Sequence, residues 1–106
     1  MISFEDFKKM DLRIAKIIEA KCHPDADRLY ILRIDVGDEV KQIIAGIREH
    51  YSIDDLVGKK IVVLNNLEST VIRGEESHGM LLAASNENIP IILIPERDVP
   101  EGTQIR

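Results

Sequence analysis

The sequence predicts an all-β fold: a five-stranded barrel with short helices and an apolar C-terminal extension. Three observations carry that expectation. Apolar residues gather in five short blocks separated by turn-forming residues, and in the first two blocks they alternate with other residues, which is the signature of strands. The apolar content is mostly Ile, Val and Leu, with only Phe4, Phe7, Tyr30 and Tyr51 as aromatics and no Trp, so β-branched side chains must build the core. One capped helical signal falls between the third and fourth blocks.

The elements follow in order. Ser3 with Asp6 reads as an N-cap and an acid in the first turn, opening a short helix through about Met10. Phe4 and Phe7 then share one face, where they could plug a barrel end. Leu12 and Ile14 alternate with Arg13 and Ala15, and adjacent Ile17 and Ile18 shift the phase by one, as a bulge in a long strand would. His23-Pro24-Asp25-Ala26-Asp27 is a turn. Tyr30, Leu32, Ile34 and Val36 mark the second strand, closed at Gly37-Asp38, and Val40 to Ala45 the third. Ser52 with Asp55 caps a helix that Gly58 ends. Lys60 to Asn66 and Met80 to Ala84 are the fourth and fifth strands, joined by a loop around Arg73-Gly74 and Ser77-His78-Gly79. Five strands with a helix between the third and fourth is the order of an oligonucleotide-binding (OB) barrel. Ile91 to Ile94 is then an apolar strand left over, and pairing with a second subunit would cover its edge.

Length and charge narrow the function. A chain of 106 residues buries roughly 60 to 70% of its unfolded surface, enough for one core. A single domain is expected over 1–106, with the helix at 1–10, the barrel at 11–85 and a dimerisation segment at 86–106. The net charge of −5 disfavours indiscriminate nucleic-acid binding, yet residues 8–33 hold seven basic groups against four acids. The lone cysteine, Cys22, excludes an internal disulfide and suits a reducing, cytoplasmic setting. The longest apolar runs are too short to span a bilayer, so no membrane partner is expected.

Catalytic chemistry finds little footing. Cys22, His23, His50 and His78 lack metal-ligand spacing, and no cofactor is indicated. Ser77-His78 has no evident third partner for a triad. Asp25 and Asp27 lie in a turn with local hydrogen-bond partners. The polar loop from Asn65 to Met80 is more informative, because in an OB barrel this connection borders the oligonucleotide face. Asn66, Arg73 and Ser77 can bond phosphate, ribose or base edges, and Met80 can pack on a base.

Several stretches together resemble a known family. They are Asp11-Leu12-Arg13-Ile14, His23 to Leu29, Gln42 to Ile47, Gly58-Lys59-Lys60, Asn66-Leu67 and Arg73 to Ala84. They are similar to the tRNA-binding domain appended to methionyl-tRNA synthetases and to its free-standing relatives, over nearly the whole chain. The resemblance implies a non-catalytic OB barrel that recognises tRNA by shape, dimerises through C-terminal strands and works with or as a synthetase subunit. Its RNA contacts would fall on Arg28, Asn66, Arg73, Ser77 and Met80. Glu68, Ser69 and Val71 stand where many relatives carry a basic residue, proline and lysine, which predicts a smaller phosphate contribution. The runner-up on the same fold is a protein-docking or chaperone-like dimer.

Overall fold

A computed structural model describes residues 1–106. Its centre is β1 (Leu12–Cys22), an eleven-residue strand. It is flanked by β2 (Tyr30–Asp35), β3 (Val40–Ala45), β4 (Lys60–Leu64) and β7 (Met80–Leu81) in the order β3-β2-β1-β4-β7. Every neighbouring pair is antiparallel. The long β1 serves two partners in turn. Leu12 to Lys16 pair with β4, whereas Lys16 to Cys22 pair with β2. The register slips between Ile17 and Glu19, where the doubled isoleucine predicted a bulge. Ile17 points into the core while Ile18 faces solvent, so the bulge lets one strand curve from one side of the barrel to the other.

The core centres on Ile17, Leu32, Ile34, Ile43, Ile61 and Val63, with Leu56 among them. Leu56 belongs to α2 (Ile53–Leu56), which Ser52 caps by accepting the Asp55 N–H. Thus α2 closes one end of the barrel. The other helix, α1 (Phe4–Lys8), is capped by Ser3 as expected, but Phe4 is 70% exposed. The two phenyl rings do not plug the barrel. They line an open depression together with Leu12 and Ile105.

Two expectations are corrected beyond Leu64. The connection from Asn65 to Met80 is more than a loop: it holds the hairpin β5 (Thr70–Ile72) and β6 (Glu75–Ser77), turned at Arg73-Gly74 with positive φ at both. The anticipated fifth strand over 80–84 is divided. β7 ends at Leu81, and β8 (Ala83–Asn86) pairs instead with β9 (Ile89–Ile92). The turn between them places Glu87 and Asn88 at φ 51° and 66°, the left-handed pair that suits a tight hairpin. The apolar tail therefore has an intrachain partner on one edge, while Ile89, Ile91, Leu93 and Ile94 stay exposed.

The last residues return to the barrel. Ile14 N–H donates to Thr103 O, Gly102 N–H to Ile14 O and Ile105 N–H to Leu12 O. The tail thereby occupies the edge of β1 that β2 leaves free. Gly37 and Gly102 permit this crossing. A Cβ on Gly37 would stand 2.7 Å from Gly102 Cα, closer than carbon atoms can pack.

Candidate nucleic-acid interface

The β5–β6 hairpin lies along the outer edge of β3 and bridges it to β7. No ladder joins β3 to β7; polar contacts close the gap. His78 N–H donates to Gln42 O at 2.9 Å, and Gln42 Nε2 donates to Glu76 O at 2.8 Å. Ser77 Oγ accepts from Ile44 N–H at 3.0 Å and donates to Gly79 O at 3.1 Å. At the tip, His23 Nε2 meets Ile72 O at 3.1 Å, and Arg73 Nη2 donates to Asp25 O at 3.0 Å. His23 is buried, and its Nδ1 accepts from Asp25 N–H. That tautomer leaves Nε2 as the donor to Ile72. The 23–27 turn is thus the anchor for the hairpin tip.

This architecture separates the five residues expected on the RNA face. Ser77 is only 3% exposed, and its hydroxyl is committed twice within the fold, so it closes the barrel and presents nothing outward. Asn66 accepts from Asp11 N–H at 2.9 Å and donates to Lys9 O at 2.8 Å, tying the long connection to the end of α1. Arg28 is open, with its side chain 82% exposed, and pairs with Glu49 at 2.9 Å. Arg73 is exposed at the hairpin tip and spends one N–H on a carbonyl, with no carboxylate against it. Met80 is 43% exposed.

Met80 and Ser77 share an apolar slot of about 360 Å³ walled by Ile44, Gly46, Leu67 and Ile72. Beyond Leu67 lies a polar groove of about 590 Å³ that includes Lys41, Gln42, Asn65, Ser69 and His78, with Glu39 at its edge. Lys41 Nζ donates to Asn65 O at 2.9 Å. Ser69 Oγ and His78 Nδ1 are 2.8 Å apart, and His78 Nε2 is 3.1 Å from Glu76 Oε2. His78 therefore does have two side-chain partners, but neither is the adjacent Ser77. The order of hydroxyl, imidazole and carboxylate is that of a hydrolytic triad. Here Glu76 is well solvated, which removes the low-dielectric setting that strengthens such a relay. Lys41, Gln42, Leu67 and Ser69 line this groove but were not among the contacts expected from the sequence. The polar positions of the third strand were the available signal, since an OB barrel uses its second and third strands as a binding face.

Two further charge clusters belong to the scaffold. Arg13 bonds Asp11 and Asp38 at 2.9 Å each. The Arg13 guanidinium beside it is the main influence holding the Asp11 carboxyl below the usual carboxylate range. Lys60 is similarly tied to Asp98 and Glu101, and these contacts raise its pKa. No three His, Cys, Asp or Glu side chains are arranged to hold a metal ion, and no helix is long and apolar enough to cross a membrane.

Comparison with known proteins agrees with this geometry. The family model described as "Putative tRNA binding domain" matches residues 12–104. The methionine–tRNA ligases of Thermococcus kodakarensis and Thermococcus onnurineus are 47% and 46% identical over 105 residues. That is 99% of this chain but only 14% of either ligase. Among solved structures, the CsaA chaperone protein from Picrophilus torridus superposes with a TM-score of 0.92 at 30% identity, covering all of both chains. The MetRS related protein from Pyrococcus horikoshii gives 0.89 at 26% identity, covering 100% of this chain and 98% of that one. The C-terminal domain of Plasmodium vivax p43 gives 0.88 at 35% identity, over 97% of this chain and 63% of that one. With its barrel order, its hairpin-edged face and a match spanning nearly the whole sequence, the chain belongs to the tRNA-binding domain family.

Proposed function

We propose that this chain is a non-catalytic tRNA-binding module that acts as a cytoplasmic homodimer, as the methionyl-tRNA synthetase β subunit or a relative of it. Family membership over residues 12–104 is the observation that carries the reading. Arg28, Arg73 and Met80 are the outward contacts, whereas Ser77 and Asn66 act indirectly by fixing the hairpin and its connection. The exposed Ile89, Ile91, Leu93 and Ile94 supply the apolar surface for a second copy. Binding is expected to be weak and salt-sensitive, because the 61–80 segment has one Arg against three Glu and phosphate contacts dominate affinity of this kind.

Filter binding of folded tRNA at ~50 mM salt, where phosphate contacts are strongest, tests the reading; no retention there removes it. Sedimentation with and without tRNA reports subunit number and complex formation together. A second reading, a chaperone-like or protein-docking dimer, is favoured by one observation: the full-length likeness to a CsaA chaperone protein. Protein partners that stay bound after ribonuclease treatment would support it.

A further inference from the structure

The polar groove carries a hydroxyl whose hydrogen-bonding direction is fixed. An ionised carboxylate can only accept, so Glu76 Oε2 takes its 3.1 Å bond from a proton on His78 Nε2. In the neutral imidazole Nδ1 is then an acceptor. With His78 neutral, the proton in its 2.8 Å contact with Ser69 Oγ therefore comes from the serine. A free serine rotor can donate or accept at will; here the one proton is committed inward. Only lone pairs remain to face the groove.

The surroundings define what would meet them. Lys41 Nζ gives one bond to Asn65 O and keeps two donors for an anion in the same groove. Leu67 borders both the groove and the apolar slot that contains Met80. A single nucleotide lifted out of its stack has these three parts in the same sequence: an anionic phosphate, a ribose and an apolar base face. With the base face in the slot, the ribose 2′-hydroxyl is the sugar–phosphate group that can donate to a fixed acceptor, and it is also what distinguishes RNA from DNA. A phosphate oxygen offers no proton, and deoxyribose lacks the group.

We propose that the Glu76–His78–Ser69 relay makes Ser69 Oγ a reader of the ribose 2′-hydroxyl of one unstacked nucleotide, with its phosphate on Lys41 and its base in the slot beside Met80. This rests on the tRNA-binding reading and adds a ribose-specific subsite to recognition by shape. Glu39 at the groove edge limits the phosphate attraction, which makes the ribose contact more important to selectivity.

The test uses the full chain with three probes at ~50 mM salt: folded tRNA, a mixed-sequence 12-nucleotide single-stranded RNA and its deoxy counterpart. The wild-type chain should bind the RNA oligomer about five- to tenfold more tightly than the DNA, the scale of one neutral hydrogen bond. Ser69→Ala should bring that ratio close to one by weakening RNA alone, at unchanged melting temperature. Ser69→Thr, which retains the hydroxyl, should restore it. His78→Ala should lower the ratio part-way, because Ser69 then regains a free rotor. If tRNA is retained but the two oligomers bind alike, or neither binds, or Ser69→Ala keeps the wild-type ratio, the ribose-reading subsite is overturned and tRNA binding stands. If tRNA itself is not retained, both fall.

Discussion

The barrel wall and the β5–β6 hairpin are held by different forces. In the wall, β1 to β4 form antiparallel ladders around a core of buried aliphatic side chains. The hairpin contributes no fully buried aliphatic residue of its own. It is fixed by side-chain to backbone hydrogen bonds reaching from Gln42, Ser77, His23 and Arg73. Burial is non-directional and tolerates small shifts, whereas hydrogen bonds fix distance and angle. A hairpin held by the second kind of contact is positioned without a large buried apolar surface.

Core truncation should give the largest effect. Leu32→Ala removes a fully buried side chain in the middle of β2 and should cost about 2–5 kcal/mol of stability, read from the urea midpoint. Next is Ser77→Ala. It strands the Ile44 N–H inside the barrel and should cost roughly 1–3 kcal/mol. Because the hydroxyl is buried, the loss should appear in melting temperature before it appears in tRNA affinity. A variant of normal stability that bound tRNA more weakly would instead make Ser77 a direct contact, and would erase the division between wall and face.

Arg73→Ala should act mainly on binding, with a small loss of stability from the bond to Asp25 O. Its guanidinium spends one bond on Asp25 O and is otherwise exposed. If it touches phosphate, the slope of log K against log salt flattens by about one unit. An unchanged slope would take Arg73 off the face. The smallest effect expected is a pH dependence in the scaffold. Folding holds the Asp11 carboxyl below its ordinary value of 3.8, so the unfolded chain takes up that proton first. Its stabilisation is complete above this value and is lost as pH falls through the lowered one. The difference in melting temperature between the native chain and Asp11→Asn should therefore shrink below pH 3.8. A constant difference would show that Asp11 acts through shape and not charge.

Much of the wall was legible in the sequence. Short apolar blocks between turns placed the first four strands, the Ile17-Ile18 doublet gave the bulge, and Ser3 and Ser52 gave both caps, because each is a local preference of the backbone. The hairpin was not legible. Val71 and Ile72 are only two apolar residues among charged neighbours, and the strands form where Ser77, Gln42 and His23 can reach them. Similarly, Ser85-Asn86 gave no sign that the strand begun at Met80 would change partner after Leu81.

For the candidate site, the five residues expected from the sequence lie in different environments. Exposed Arg73 and half-exposed Met80 look no different in sequence from buried Ser77 or from Asn66, which is bonded back to Lys9 and Asp11. By itself the sequence determined the barrel class, the order of the first four strands with the two helices, and the family likeness, since these depend on apolar patterning and on motifs contiguous in the chain. Only the tertiary structure decided which hydroxyls face outward and which residues meet across the groove. Ser69, Glu76 and His78 must converge with Lys41 on another strand, and such convergence depends on packing between segments that no local pattern encodes.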